Sequence, residues 1–111
     1  MAGMNVDSDG VWDAFVDVML AAGHVREARS RYGDKPALFA GSREIAHLEA
    51  DGAIDVRITR AGWARAREDF AADPAVLRDP GRRDWIELRP KRASDLARLA
   101  SLLAIVAAAN A

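Results

Sequence analysis

The sequence contains no cysteine, few aromatic residues and no long apolar run, and these absences exclude several classes of protein. Without cysteine, the 111-residue chain can form no disulfide, no thiolate metal site and no cysteine nucleophile. Its longest apolar run, residues 102–109, is too short to span a bilayer. Four aspartates lie near the N-terminus, where a signal peptide would be apolar. We therefore expect a cytoplasmic protein with no membrane partner.

The charge of the chain is nearly balanced, with 16 basic and 17 acidic residues. A local excess of seven basic over four acidic residues occurs in residues 78–98. Such an excess can form an anion or phosphate site, but more often it forms a solvated arginine-rich surface. The net charge of −1 argues against a nucleic-acid partner.

Local patterns predict a single domain over residues 1–111 with the element order α-β-β-β-β-α-β-α and a disordered start over residues 1–6. Candidate N-caps for the first helix are Asp7, Ser8 and Asp9, and Gly23 is a natural end. The predicted strands are residues 25–30, 37–40, 43–49, 53–59 and 85–89. The predicted later helices are residues 59–70, one turn over residues 74–77, and a last helix capped by Ser94.

Two hairpin signals, Gly41 with Ser42 and Asp51 with Gly52, join the central strands into a meander. Tight hairpins require antiparallel pairing, and amphipathic helices need one apolar surface to cover. The sequence therefore predicts an α+β fold in which an antiparallel sheet of four or five strands has helices packed on one face. The other face would be open to water, form a groove or pair with a second subunit.

The residues that point away from the helices are the first place to look for function. Strict alternation places Asp55, Arg57, Trp85 and Glu87 on that face. Asp55 and Glu87 could form a carboxylate pair for acid–base work, and the indole of Trp85 could stack on a flat ligand. Ordinary cross-strand ion pairing of these carboxylates with Arg57 or Arg89 is the alternative interpretation.

His47 lies in the middle of a predicted strand and shares the parity of Arg43. A histidine in this position could act as a general base near neutral pH, whereas a packed, hydrogen-bonded ring is the alternative. Metal binding has no sequence support, because the chain has two histidines and no ligand motif of the usual spacing. No nucleophile elbow or phosphate loop is present either, so we predict no metal and no cofactor.

Three segments together resemble a known family: residues 38–48 (LFAGSREIAHL), residues 53–58 (AIDVRI) and residues 84–89 (DWIELR). They are similar to the luciferase domain family, which includes short bacterial proteins and the fungal luciferases. The resemblance implies an antiparallel α+β domain and, in the fungal members, oxidation of a hydroxypyrone-type luciferin by oxygen without metal. The positions that match the family are Arg43, Glu44, His47, Asp55 and Trp85. Family members usually carry further histidines near the strand that begins here after Asp84, and this chain has none after His47.

The favoured function is the binding of a flat small molecule on the open sheet face. Its predicted binding residues are Arg43, Arg57, Trp85 and Glu87, and its candidate catalytic residues are His47 and Asp55. An interaction module or homodimer without catalytic activity is the alternative. Nucleic-acid binding of the MmcQ/YjbR type, whose element order is similar, is a more remote one.

Overall fold

The computed structural model describes residues 2–31 and 33–111, and the side chains from residue 10 onward within those ranges. The helices are α1 (Ala2–Ala22), α2 (Thr59–Phe70), α3 (Ser94–Arg98) and α4 (Ala100–Ala109). The strands are β1 (Arg26–Arg29), β2 (Pro36–Ala40), β3 (Arg43–Leu48), β4 (Ile54–Arg57), β5 (Val76–Leu77) and β6 (Trp85–Leu88). Within the described part of the chain, no helix is long and apolar enough to cross a membrane.

The strands form one antiparallel sheet in the order β1-β2-β3-β4-β6-β5. The α+β class is confirmed, and the predicted strand count was slightly low. The extra strand is β5, which lies where a helical turn was predicted. The side chain of Asp73 accepts the N–H of Ala75 at 2.9 Å and closes a turn there. The next two residues then pair with β6 and complete the sheet.

The apolar stripes of α1 and of the C-terminal helices pack into one core with the sheet. The predicted stripe residues are all buried, namely Trp12, Phe15, Val16 and Met19 in α1 and Leu96, Leu99, Leu103 and Val106 near the C-terminus. They meet the alternate strand residues Leu38, Ile54, Val56, Ile86 and Leu88. Burial of this apolar surface is the main stabilising term of such a fold.

The first helix begins earlier than the sequence pattern indicates. Helix α1 starts at Ala2, ahead of the predicted caps at residues 7–9. Met1 lies outside the described residues. The predicted end is confirmed, because Gly23 has a φ of +91° and its N–H donates to the carbonyl oxygens of Met19 and Leu20.

The C-terminal helix was predicted as one element and is two, since the backbone at Leu99 (φ −90°, ψ 7°) separates α3 from α4. The predicted cap at Ser94 was wrong, because the N-cap position of α3 is Ala93 and carries no side-chain cap within the described chain. Asp95, in the first turn of α3, binds the segment that precedes the helix. Its Oδ2 accepts the N–H groups of Lys91 at 2.8 Å and Arg92 at 3.2 Å.

A β-bulge in β3 decides which side chains share a face. Leu38 pairs with Ala46, but the next residue, Phe39, pairs with Glu44, so Ile45 is passed over. An extra residue in one strand shifts the alternation by one position. Glu44 and His47 consequently lie on the same side of the sheet, three residues apart, which strict alternation does not allow.

Candidate functional site

The sheet face turned away from the helices carries a row of titratable side chains across three neighbouring strands. His47 of β3 is paired with Asp55 of β4, and Asp55 is paired on its other side with Glu87 of β6. Trp85 of β6 is paired with Arg57 of β4. These residues share a face because the strand registers bring them level and the side-chain period is two.

The imidazole of His47 is surrounded by three carboxylates. Its Nε2 lies 2.7 Å from Oε2 of Glu49 and 3.3 Å from Oδ2 of Asp55. Its Nδ1 lies 3.0 Å from Oε2 of Glu44, although the two atoms are not aligned for a hydrogen bond. The His47 side chain is only 17% exposed. We call Glu44, His47, Glu49 and Asp55 the His47 cluster.

Glu44 is buried and connects the cluster to the loop between β1 and β2. Its carboxylate accepts hydrogen bonds from the hydroxyl of Ser30, at 2.9 Å and 3.1 Å, and from the backbone N–H of Arg31, at 2.9 Å. Hydrogen bonds to a charged acceptor are stronger than neutral ones. Ser30 and Arg31 are thereby held against β3.

Asp55, like Glu44, is buried. Its Oδ2 accepts a hydrogen bond from Nη2 of Arg82 at 3.1 Å. Its Oδ1 is buried and has no hydrogen-bond partner among the described residues. Arg82 also lies over the ring of Trp85, at 5.7 Å from the centroid, and the ring of His47 lies 5.7 Å from the same indole.

Two other predicted binding residues have partners outside the cluster. Arg57 donates to Oδ1 of Asn110 at 2.7 Å, and the Asn110 amide donates back to the Arg57 carbonyl at 2.7 Å. Glu87 forms an ion pair with Arg89, which lies two residues further along the same chain segment and not across a strand pair. Arg43 lies at the exposed start of β3, before the bulge.

The turn between β3 and β4 positions His47 opposite Asp55. Asp51 lies in this turn, and the backbone N–H of Ala53, together with the guanidinium of Arg89, holds the pKa of Asp51 below its ordinary value. Gly52 takes a φ of +90°, which suits a glycine, and donates its N–H to the Glu49 carbonyl at 3.0 Å. The hairpin signal in the sequence therefore fixes the geometry of the cluster.

Two cavities flank the ring pair of His47 and Trp85. The first, which we call the His47 cavity, has a volume of about 270 Å³ and is lined by Ser30, Gly33, Lys35, His47, Leu48, Glu49 and Ala50. The second, the Trp85 cavity, has a volume of about 190 Å³ and is lined by Leu77, Arg78, Asp79, Arg82, Trp85, Ile86 and Glu87.

The alternation analysis did not name Glu44, Glu49 or Arg82 as members of this site, although Glu44 is one of the positions that match the family. Glu49 shares the parity of His47, so alternation would have found it. Glu44 lies on this face only because of the bulge, and Arg82 comes from a loop 27 residues after Asp55. The structure also brings one ligand atom each of His47, Glu49 and Asp55 within 4.8 Å of one another, which no spacing motif along the chain indicates.

Comparison with known proteins gives one match. The family model described as the luciferase domain matches residues 42–106, which is more than half of the chain. The matched region begins at the turn before β3 and contains the whole His47 cluster and Trp85. No curated protein and no solved structure matches the chain.

Proposed function

Because the chain belongs to the luciferase domain family, we propose that it binds a small, flat, weakly acidic compound, such as a phenol or an enol, in the His47 cavity. In this proposal His47 exchanges a proton with the hydroxyl group of the ligand. The observation that carries it is a mostly buried imidazole with a carboxylate oxygen near each ring nitrogen, beside a cavity. Hydroxypyrones, which the family resemblance implies for the fungal luciferases, belong to this chemical class.

The arrangement around His47 suits proton exchange. A neutral imidazole has one donor and one acceptor nitrogen, whereas the protonated ring has two donors, and here each nitrogen faces a carboxylate oxygen within 3.0 Å. The Glu49 side chain is 41% exposed. An exposed ion pair contributes only about 0–1 kcal/mol, so Glu49 can move aside and give a ligand access to Nε2.

The size and charge of the His47 cavity limit the ligand. A cavity of about 150 Å³ holds benzene in another protein, so about 270 Å³ has room for one or two rings. Lys35 lines the cavity and can neutralise a phenolate or enolate oxygen. In this proposal Lys35, rather than Arg43 or Arg57, supplies the positive charge that faces the ligand.

Trp85 supports the imidazole from its other side. The centroid separation of 5.7 Å and the interplanar angle of 47° lie in the favourable range for aromatic pairs. We therefore expect Trp85 to orient His47. A ligand that instead stacked on the indole, as the sequence pattern suggests, would occupy the Trp85 cavity.

The proposal is tested by a thermal-shift screen with phenols and hydroxypyrones, followed by calorimetry on any compound that stabilises the protein. We expect His47→Gln to abolish binding and Lys35→Met to weaken the binding of ligands that carry a negative charge. Arg65→Met removes one positive charge from an exposed position on α2 and is the matched control. Circular dichroism verifies that each variant folds.

Two results would contradict the proposal. One is that no compound of this class stabilises the wild-type protein, and the other is that stabilisation survives in His47→Gln. Loss of binding in Trp85→Leu but not in His47→Gln would move the ligand to the Trp85 cavity.

The alternatives have less support. In the described part of the chain, the exposed large hydrophobic residues are Leu20 on α1 and Leu77 on β5, whereas an interaction surface needs a contiguous apolar patch. Light scattering tests the homodimer. Three arginines of the basic segment, Arg82, Arg89 and Arg98, pair with carboxylates within the protein, which leaves less positive charge for a nucleic acid.

A further inference from the structure

We infer that His47, Glu49 and Asp55 form a binding site for one divalent transition-metal ion such as Zn²⁺. The ligand atoms would be Nε2 of His47 and one carboxylate oxygen from each acidic residue. This inference goes beyond the proposed function, because it concerns the protein alone and does not depend on any small-molecule ligand.

The distances between the ligand atoms suit a metal ion of this size. Nε2 of His47 lies 2.7 Å from the Glu49 oxygen and 3.3 Å from the Asp55 oxygen, and the three atoms lie within 4.8 Å of one another. Tetrahedral coordination with bonds of about 2.0–2.2 Å places ligand atoms about 3.4 Å apart. Small side-chain movements would therefore complete the site, and water would supply the remaining coordination position.

A separate observation points to a missing cation. The Asp55 side chain is 8% exposed, and its Oδ1 is buried without a hydrogen-bond partner among the described residues. Buried polar atoms in folded proteins nearly always have a partner, so an exception marks a place where a water or an ion can bind. The same carboxyl group already faces His47 through its other oxygen, so a metal ion at the cluster would lie beside the unpaired atom.

The surroundings of Nδ1 also match those of a metal-binding histidine. Such a histidine usually donates its second ring N–H to a carboxylate, which fixes the ring for coordination. In this protein Oε2 of Glu44 lies 3.0 Å from Nδ1 of His47 without a hydrogen bond between them, and a small rotation of the ring on metal binding would align the two atoms. Glu44 is itself held by Ser30 and the backbone of Arg31. Glu44 would thus be the outer partner of the site rather than a ligand.

Arg82 competes with the metal ion for Asp55. Its guanidinium donates to Oδ2 at 3.1 Å, and a cation so close would oppose a second one. The Arg82 side chain is 41% exposed, so it can turn into solvent when a metal ion binds. Three carboxylates surround the imidazole and Arg82 supplies one positive charge to them, so the cluster still favours a cation.

The experiment uses the untagged chain and measures metal binding directly. Calorimetry with Zn²⁺ should show one ion per chain, and His47→Gln and Asp55→Asn should remove that binding. Glu44→Gln should weaken binding by about 10- to 100-fold, as expected for an outer partner. Arg82→Gln should bind more tightly than the wild type, because the competing cation is gone. His24→Gln, which changes the only other histidine of the chain, is the control and should bind as the wild type does.

Cobalt locates the ion independently. Co²⁺ bound at the cluster should quench the fluorescence of Trp85, because the His47 ring is 5.7 Å from that indole. In Trp85→Phe this quenching should disappear while calorimetric binding persists. Mg²⁺ should bind more weakly than Zn²⁺, since an imidazole ligand favours transition metals.

Three outcomes would overturn the inference: no saturable binding of Zn²⁺ by the wild type, unchanged affinity in a folded His47→Gln variant, or binding that leaves Trp85 unquenched. If Asp55→Asn does not fold, Glu49→Gln provides the same test at a more exposed position. The metal-binding measurements contain no organic ligand. A failure to bind metal would therefore not contradict the proposed function, and a failure of the phenol and hydroxypyrone screen would not contradict the metal site.

Discussion

Replacing Glu44 with alanine should destabilise this protein far more than a surface substitution does. The carboxylate is almost fully buried and accepts hydrogen bonds from the Ser30 hydroxyl and the Arg31 backbone N–H. Each hydrogen bond to a charged group contributes about 1.5–3 kcal/mol. Because the Arg31 N–H is only partly buried and water can replace part of the loss, we expect Glu44→Ala to cost about 3 kcal/mol.

Stability is measured by urea denaturation and by thermal denaturation, each monitored by circular dichroism. A loss of about 3 kcal/mol should lower the melting temperature by about 12 °C, at roughly 4 °C per kcal/mol for a domain of this size. Glu44→Gln keeps one oxygen acceptor and should cost about 1 kcal/mol. A double-mutant cycle with Ser30→Ala should give a coupling energy of about 1 kcal/mol between the two side chains.

Glu68→Ala on the exposed side of α2 is the matched control, and it should change stability by no more than about 0.5 kcal/mol. If Glu44→Ala costs as little as this control, the buried carboxylate does not hold the β1–β2 loop. The outer-partner role assigned to Glu44 would then lose its structural basis.

Three further predictions each concern a single residue. Thr59 has a φ of +67°, which is strained for a β-branched residue. Thr59→Asn should therefore raise the free energy of unfolding, measured in urea, by about 1 kcal/mol. A decrease would show that Thr59 is not strained. Trp12→Phe removes the indole hydrogen bond to Glu27 and should cost about 1–2 kcal/mol, whereas equal stability would show that the bond contributes nothing. Hydrogen bonding from the backbone N–H of Lys91 lowers the pKa of Asp95. The contribution of ionised Asp95 to folding stability is therefore present above about pH 4 and is lost as the pH falls. Asp95→Asn should therefore flatten the acid limb of stability against pH, and an unchanged limb would contradict this.

The sequence alone determined the fold class, the meander and the sheet face that Asp55 and Trp85 share. These features depend on local patterns, such as the alternation around Asp55 and Trp85 and the glycines at the two hairpin turns. The family was also readable, since the three quoted segments lie mostly or entirely within the matched residues. Side-chain direction in a regular strand follows directly from its period of two, so no knowledge of the neighbouring strands was needed.

Only the tertiary structure decided how the site is composed. The bulge in β3 brings Glu44 next to His47, and a bulge is a property of pairing between two strands rather than of either sequence. Arg82 reaches Asp55 from a distant loop. The strand β5 formed where a helical turn was predicted, because the edge of β6 offered unpaired backbone groups. Local patterns place side chains on a face, but their contacts depend on register and loop packing, which long-range pairing determines.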